Sequence, residues 1–536
     1  MKKFLFTLLI LNLFALCAHA QPPHSAFIRN IRLQPVSDPL CAYPVDPKLV
    51  KWLKANVSKE TGLPLSFEVP VECKKRVYRQ MGESFSVPGI IERMIVEEGL
   101  VIYDGAVRQI VLAMLGGEEN LNDAYRMVDV FWQGGLQQLP NLRAGYPLNG
   151  FIYDPKDPQA VSSDLDEKGK RGFIFRIINA NGRYDTEDPL DGKTEFKNFP
   201  TWPTVHWEDW KPVAGENAWI VIGALQVYHK KYFSPGPGIY RVEGASAIEL
   251  KLAEELARAA LLLQAENGGI RMAPIGTYLK ENDGGRGWYS LISTENNLSW
   301  YAAFRMLFAI TQNDSYRLAM ARLEEYFKSV WNADIGYFYQ GAREREGRWE
   351  PVTEDFATDV QTWGILVLGA QKIDTWFGSG AAYQMWKSAK ARSGAYDAQG
   401  RLRGVGFTTE HDRVSVEWTA GAVFAARRLK EYYAENFPLW SADAGSDESQ
   451  MREGIEALRV DFPDQRSAYA YSSQRGWIPF GWNSHDPDVL SLASTAWVVL
   501  LDAGFNPFDL PGLKEHRMAS VRAWPLRIRR EAKNRK

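Results

Sequence analysis

Six stretches of the chain share one arrangement of polar and apolar positions. Each opens with a polar or acidic first turn and continues with apolar residues on most of a helical circumference. They are YDGAVRQIVLAML from Tyr103, ENAWIVIGALQVY from Glu216, ENNLSWYAAFRMLFAI from Glu295, DVQTWGILVLGA from Asp359, EWTAGAVFAARRL from Glu417 and SLASTAWVVLLDAG from Ser491. A helix that is apolar nearly all round is buried on nearly all sides. Between these stretches lie helices with a wetter face, starting near Asn120, Ser246, Asp314, Gly380 and Asp447. Their apolar residues recur every three or four positions among Lys, Arg and Glu. Links such as Thr311-Gln312-Asn313 are short, which makes consecutive helices antiparallel neighbours.

The alternation predicts an all-α fold, an (α/α)6 toroid. Six buried helices form an inner ring, and amphipathic helices form an outer ring with one face to water. The sixth outer helix is not evident, and the segment around Pro47 to Lys59 is the candidate to close the ring. Residues 91–512 form the toroid in this reading. Residues 21–90 lack helical rhythm and form an extended arm packed on it, and residues 513–536 are a basic tail, read as a solvated terminus. Two loops rich in Gly, Pro and aromatics interrupt the pattern, residues 140–215 and RGWIPFGWNSHDPD before the sixth inner helix. A loop as long as the first inside a compact domain is usually functional or carries short strands.

The chain begins MKKFLFTLLILNLFALCAHAQ. A positive start, a short apolar run and Ala18-His19-Ala20 make residues 1–20 a cleavable export signal, which places the protein in the periplasm or outside the cell. Later segments lack the roughly 18 uninterrupted apolar residues of a membrane span. Without Lys2 and Lys3, 61 of the 63 basic residues remain against 65 acidic ones, a net charge of −4. That balance carries no nucleic-acid footprint. Cys41 and Cys73 remain after cleavage, and two cysteines in an exported chain suit one disulfide; two free thiols are the alternative. Nineteen Trp residues suit either a large aromatic core or a sugar-binding cleft.

The helix pairs, with the phrases YDGAVRQIVLAML, GENAWIVIGAL, TENNLSWYAAFRML and ITQNDSYRLAMARLEEYF followed by WNADIGYFYQG, resemble the six-hairpin, (α/α)6-toroid glycosidase-like superfamily. The resemblance covers roughly residues 95 to 510. It implies a carbohydrate substrate, because the superfamily holds glycoside hydrolases, polysaccharide lyases and sugar epimerases. It is architectural, and no catalytic residue is carried over from it.

In such a toroid the inner helices point their N-termini at one face, which would gather Asp104, Glu216, Glu295, Asp359 and Glu417. Acidic residues are also favoured at helix starts as caps and dipole partners, with no other role. The companions Asn217, Trp219, Asn296, Asn297, Trp300, Trp363 and Trp418 suit a cleft for sugar hydroxyls and faces, as do Asp104 itself and Trp207, Trp482 and His485 in the loops. Glycoside hydrolysis needs one protonated and one ionised carboxyl, about 5–5.5 Å apart for retention and about 6.5–9.5 Å for inversion. A helix N-terminus favours the ionised form, so Glu295 and Glu417 are the leading bases, with Glu216 and Asp359 beside them. The acid is sought on loops: Glu208, Asp209, Glu354, Asp355, Asp486 or Asp488.

No two His have zinc-ligand spacing and no Cys-x-x-Cys occurs, so neither a metal nor another cofactor is expected. Phosphate-cradling and nucleophile-elbow motifs are missing too. Hydrolysis is the first reading. A lyase or epimerase using Tyr301, His206, Asn297 and Arg305 is the second, and a non-catalytic glycan-binding protein the third. The oligomeric state is left open.

Overall fold

The computed structural model describes residues 44–59, 62–83, 87–133, 173–174, 176–180, 213–234, 239–274, 287–478 and 482–512. The export signal, Cys41, His206, Trp207, Glu208, Asp209 and the basic tail lie outside the described residues.

Fifteen α-helices occur among the described residues: α1 Pro47–Ala55, α2 Lys74–Glu83, α3 Val87–Glu98, α4 Ile102–Leu115, α5 Glu118–Gln133, α6 Ala214–Tyr232, α7 Ile248–Leu262, α8 Thr294–Thr311, α9 Asp314–Ser329, α10 Thr358–Leu368, α11 Ala370–Phe377, α12 Ala381–Ser393, α13 Val416–Tyr433, α14 Pro438–Glu456 and α15 Leu492–Ala503. The six apolar stretches are α4, α6, α8, α10, α13 and α15. Each packs on the next, and α15 packs back on α4, so the inner ring is closed. Outside them lie α5, α7, α9, α12 and α14, and α1 completes the outer ring against α15. The (α/α)6 toroid read from the pattern is therefore the fold.

Burial follows the pattern. In α8, Trp300, Ala302, Ala303, Phe304 and Leu307 are wholly buried, and burying a large apolar side chain contributes about 1.5–3 kcal/mol. In α9 the buried set is Tyr316, Ala319, Met320, Leu323, Tyr326 and Phe327, one stripe at helical spacing. The arm differs from its expected form. The helix read at Pro47 to Lys59 is α1, but the rest of the described arm is not all extended: it holds α2 and the start of α3. The polarity of α2, KKRVYRQMGE, hid it, and α3 carries a Pro-Gly pair in its first turn. The last outer helix starts at Pro438, nine residues before the expected Asp447, because the small and polar run SADAGS after its first turn carries no apolar period.

Two repeated hydrogen-bond devices tie the units together. An α-helix leaves its first backbone N–H groups without intrahelical acceptors. Here the first N–H of every inner helix donates to a carbonyl from the next unit: Ile102 to Arg176, Ala214 to Met272, Thr294 to Gln340, Thr358 to Phe407, Val416 to Tyr471 and Leu492 to Ser66, at 2.8–3.3 Å. The last bond returns to the arm, where Phe67–Glu68 pairs antiparallel with Leu490–Ser491. The circle of bonds closes as the ring of helices does.

The second device sits at the fourth residue of five inner helices, whose side chain clips an extended segment to the helix. Asn217 bonds both backbone groups of Ile174, Asn297 those of Ile270, Gln361 those of Phe338 and Thr419 those of Val405. Thr495 accepts from the Tyr469 N–H. Truncating Asn297 to Ala would orphan two buried backbone groups, each costing about 1–3 kcal/mol. Asn297→Ala is thus expected to lose several kcal/mol in chemical denaturation, with unchanged KM for the molecules that remain folded.

Candidate active site

Asp104, Glu216, Glu295, Asp359 and Glu417 occupy the second or third residue of five consecutive inner helices. The helices of one ring point the same way, so the five carboxyls meet at one mouth. The charge of Glu417 raises the pKa of Asp104, Glu295 and Asp359, and that of Glu216 raises Asp104 and Glu295. The sixth helix has Ala493 and Ser494 in these places.

One helical turn deeper the bore is sealed. Trp219, Trp363 and Trp497, from α6, α10 and α15, pack with ring centroids 5.2–6.0 Å apart. Phe508 fits against all three at 5.1–6.2 Å. This layer of rings closes the bore beneath the carboxyls. Trp219 and Trp363 are thus floor residues, and Trp300 is core: it is wholly buried, and its indole N–H donates to the Ala214 carbonyl. None of the three is a free platform for a sugar face. Asn217 and Asn297, also expected to meet sugar hydroxyls, are wholly buried clips. Asn296 packs against Gly215 at the start of the neighbouring inner helix, where an added Cβ would lie 2.2 Å from its Oδ1. Trp418 is buried against Phe407, with ring centroids 5.0 Å apart.

The carboxyls differ in their surroundings. Glu417 accepts a hydrogen bond from the Tyr103 hydroxyl at 2.5 Å, and that oxygen accepts from the Trp497 indole N–H at 2.7 Å. Burial pushes the Glu417 pKa up to about 7, and the Tyr103 bond limits the rise. Burial, and then the charge of Glu417, take Asp359 up to about 8, although it accepts the Val360 N–H at 2.8 Å. Burial pushes Glu295 well above the carboxylate range, with the charges of Asp359 and Glu216 adding to it. Asp104 is raised likewise by burial, against a bond from Ser66. Glu216 lies 3.4 Å from the Arg176 guanidinium. Loss of solvent outweighs the helix dipole at Asp104, Glu295, Asp359 and Glu417, against the expectation that a helix tip favours the ionised form.

The loop acids occupy other surroundings. Asp486 is locked to Arg76 at 2.7 and 2.9 Å. Burial raises its pKa, but the Arg76 bond, the Asp488 N–H and the charges of Arg76 and Arg475 together outweigh that and leave it below the ordinary value, which makes it a poor proton donor. Asp488 pairs with the same arginine. Glu354 and Asp355 are exposed, Glu354 beside Arg343. His485 bonds Glu92 at 2.9 Å, and Arg475 and Asn483 share that carboxylate. Arg76 and Glu92 belong to α2 and α3, so the arm braces the loop above the sixth inner helix. Trp482, on that loop, donates its indole N–H to the Tyr471 hydroxyl at 3.0 Å. Tyr301 bonds Glu324, and Arg305 bonds the Val367 carbonyl in the last turn of α10, at the far end of the ring from the carboxyls. His229 is buried against Tyr240, and His411 is exposed. Cys73 carries a free thiol. Among the described residues no helix is long and apolar enough to cross a membrane.

Tyr103, Tyr471 and Ser66 escaped the sequence reading. Tyr103 had a signal, an aromatic hydroxyl directly before the acid of an inner helix start. Tyr471 and Ser66 lie in extended segments whose place at the mouth depends on the ring closing.

No protein-family model matches the chain, and no curated protein sequence does. Solved structures do. A sugar epimerase from a ruminal bacterium is 10% identical, with a TM-score of 0.50 over 85% of this chain and 96% of that one. A D-mannose isomerase is 11% identical, at 0.50 over 87% and 99%. Cellobiose 2-epimerase from Bacillus thermoamylovorans B4167 is 9% identical, at 0.51 over 85% and 95%. The closed double ring and these matches identify the chain as having the six-hairpin, (α/α)6-toroid glycosidase-like fold.

Proposed function

We propose that the chain is an exported carbohydrate-active enzyme, a glycoside hydrolase in which Glu417 is the ionised carboxylate and Glu295 the proton donor. The observation that carries this reading is the Tyr103 bond to Glu417. It stabilises the charged form of one carboxyl in a ring whose other raised members hold their protons more tightly. A glycosidase needs this division, one acid and one base among neighbouring carboxyls. Glu295 would protonate the leaving oxygen, and Glu417 would activate water or attack the anomeric carbon. Asp359, between them in the ring, opposes ionisation of Glu295. Residues 1–20 support export, and the fold supports a carbohydrate substrate.

The test is release of new reducing ends from a panel of glycans. An isomerised sugar without new reducing ends, or an unsaturated product absorbing in the ultraviolet, would replace hydrolysis by epimerisation or elimination. The pH profile gives a second check. Activity should rise through about pH 7 as Glu417 ionises. In Tyr103→Phe the stabilising bond is gone, the Glu417 pKa rises, and the acidic limb moves to higher pH. An unmoved limb would detach Tyr103 from the chemistry.

A further inference from the structure

We infer that Tyr471 is a further catalytic residue, whose hydroxyl donates a hydrogen bond to a substrate oxygen beside Glu417. The hydrolase reading supplies only the identity of that oxygen as one near the bond being cleaved. The donor itself rests on geometry.

Tyr471 is held from every side. Its carbonyl accepts the Val416 N–H, and its own N–H donates to Val489. Phe67, Phe407 and His485 surround its ring, with centroids 6.0, 5.5 and 5.5 Å away. The hydroxyl oxygen accepts the Trp482 indole N–H. A tyrosine hydroxyl has one proton to give, and with an N–H aimed at its oxygen that proton points away from Trp482. It has no acceptor among the described residues. The residue keeps part of its surface exposed. The charges of Glu417, Asp104 and Asp359 all act on this phenol, which sets it at the carboxyl ring. Burial and the Glu417 charge push its pKa up, so it keeps the proton across the working range.

The bracing of this group is extensive. Trp482 sits on the loop that Glu92 holds through Arg475, Asn483 and His485, and that Arg76 holds through Asp486 and Asp488. A fixed donor without an acceptor among the described residues, beside the ring of carboxyls, fits a ligand oxygen.

Tyr471→Phe removes only the hydroxyl and keeps the ring packing. On the glycan found to be cleaved, kcat/KM should fall by about 10–100-fold, the loss of one donor, while the melting temperature falls only by the small cost of leaving the Trp482 N–H without this acceptor. Trp482→Phe leaves the proton but frees its direction, so a smaller loss is expected. Wild-type kcat/KM in Tyr471→Phe would overturn the inference and leave the hydrolase reading standing. If no glycan is cleaved, the same variant is measured for binding on a glycan array. Binding lost with the hydroxyl would keep the contact and remove hydrolysis, while retained binding, or no glycan binding by the wild type, would overturn the inference.

Discussion

Glu417→Gln should lower kcat by about 10²–10⁴-fold, the usual contribution of a positioned acid or base. The substitution is nearly isosteric. The Tyr103 hydroxyl can donate to the amide oxygen as it does to Glu417, so the chain from Trp497 through Tyr103 survives. What is lost is the charge. Glu295→Gln should cost a comparable factor on a substrate with a poor leaving group, for a different reason: the departing oxygen goes unprotonated. A 4-nitrophenyl glycoside, whose leaving group needs no proton, should restore much of the Glu295→Gln rate and little of the Glu417→Gln rate. The comparison separates acid from base. Equal rescue of both variants would show that the two roles are not divided as proposed, and wild-type rates in both would remove the pair from the mechanism.

That division of labour was only partly legible in the sequence. The six helix starts and their five acids could be read because a buried helix must be apolar on most faces, and any polar residue on it stands out. The order of the pKa values could not. At a helix tip in water the dipole favours ionisation, but here Asp359 and Glu417 are both under a tenth exposed, and desolvation reverses the order. The amides misled for a related reason. Asn217 and Asn297 look like sugar-binding groups beside acids, yet their fourth-residue register makes them clips for Ile174 and Ile270. That register was present in the sequence, at Asn217, Asn297, Gln361, Thr419 and Thr495. It carries no meaning until the extended segment beside each helix is known. Asp486 lost its acid role to Arg76, a partner 410 residues away in sequence. Ion pairs across such a distance are set by ring closure and leave no local trace.

The second large effect concerns stability. Asp359→Asn should stabilise the protein increasingly as pH rises. In the folded state the Asp359 pKa is up at about 8, against an ordinary 3.8. Between those values the folded chain holds a proton that the unfolded chain has released, so stability falls with rising pH. The slope for one such group is about 1.4 kcal/mol per pH unit. Asparagine makes no such demand, and its side-chain oxygen can still accept the Val360 N–H. The variant's advantage should therefore grow from pH 4 toward pH 8, reaching several kcal/mol, and level off above. Taking the difference between variant and wild type removes groups that titrate alike in both. His229 is one of these: burial depresses its pKa to about 3, so it destabilises both proteins alike below pH 6.5. Glu417→Gln should show the same sign over a narrower window, from about 4.5 to about 7. Urea denaturation of the three proteins at several pH values measures both slopes. A gap independent of pH would mean that the carboxyls ionise freely in the folded state, and the mouth of the ring would then be wet and open. A gap that grows would mean that the fold gives up stability to keep protons on its acids, as a site for protonating a glycosidic oxygen requires.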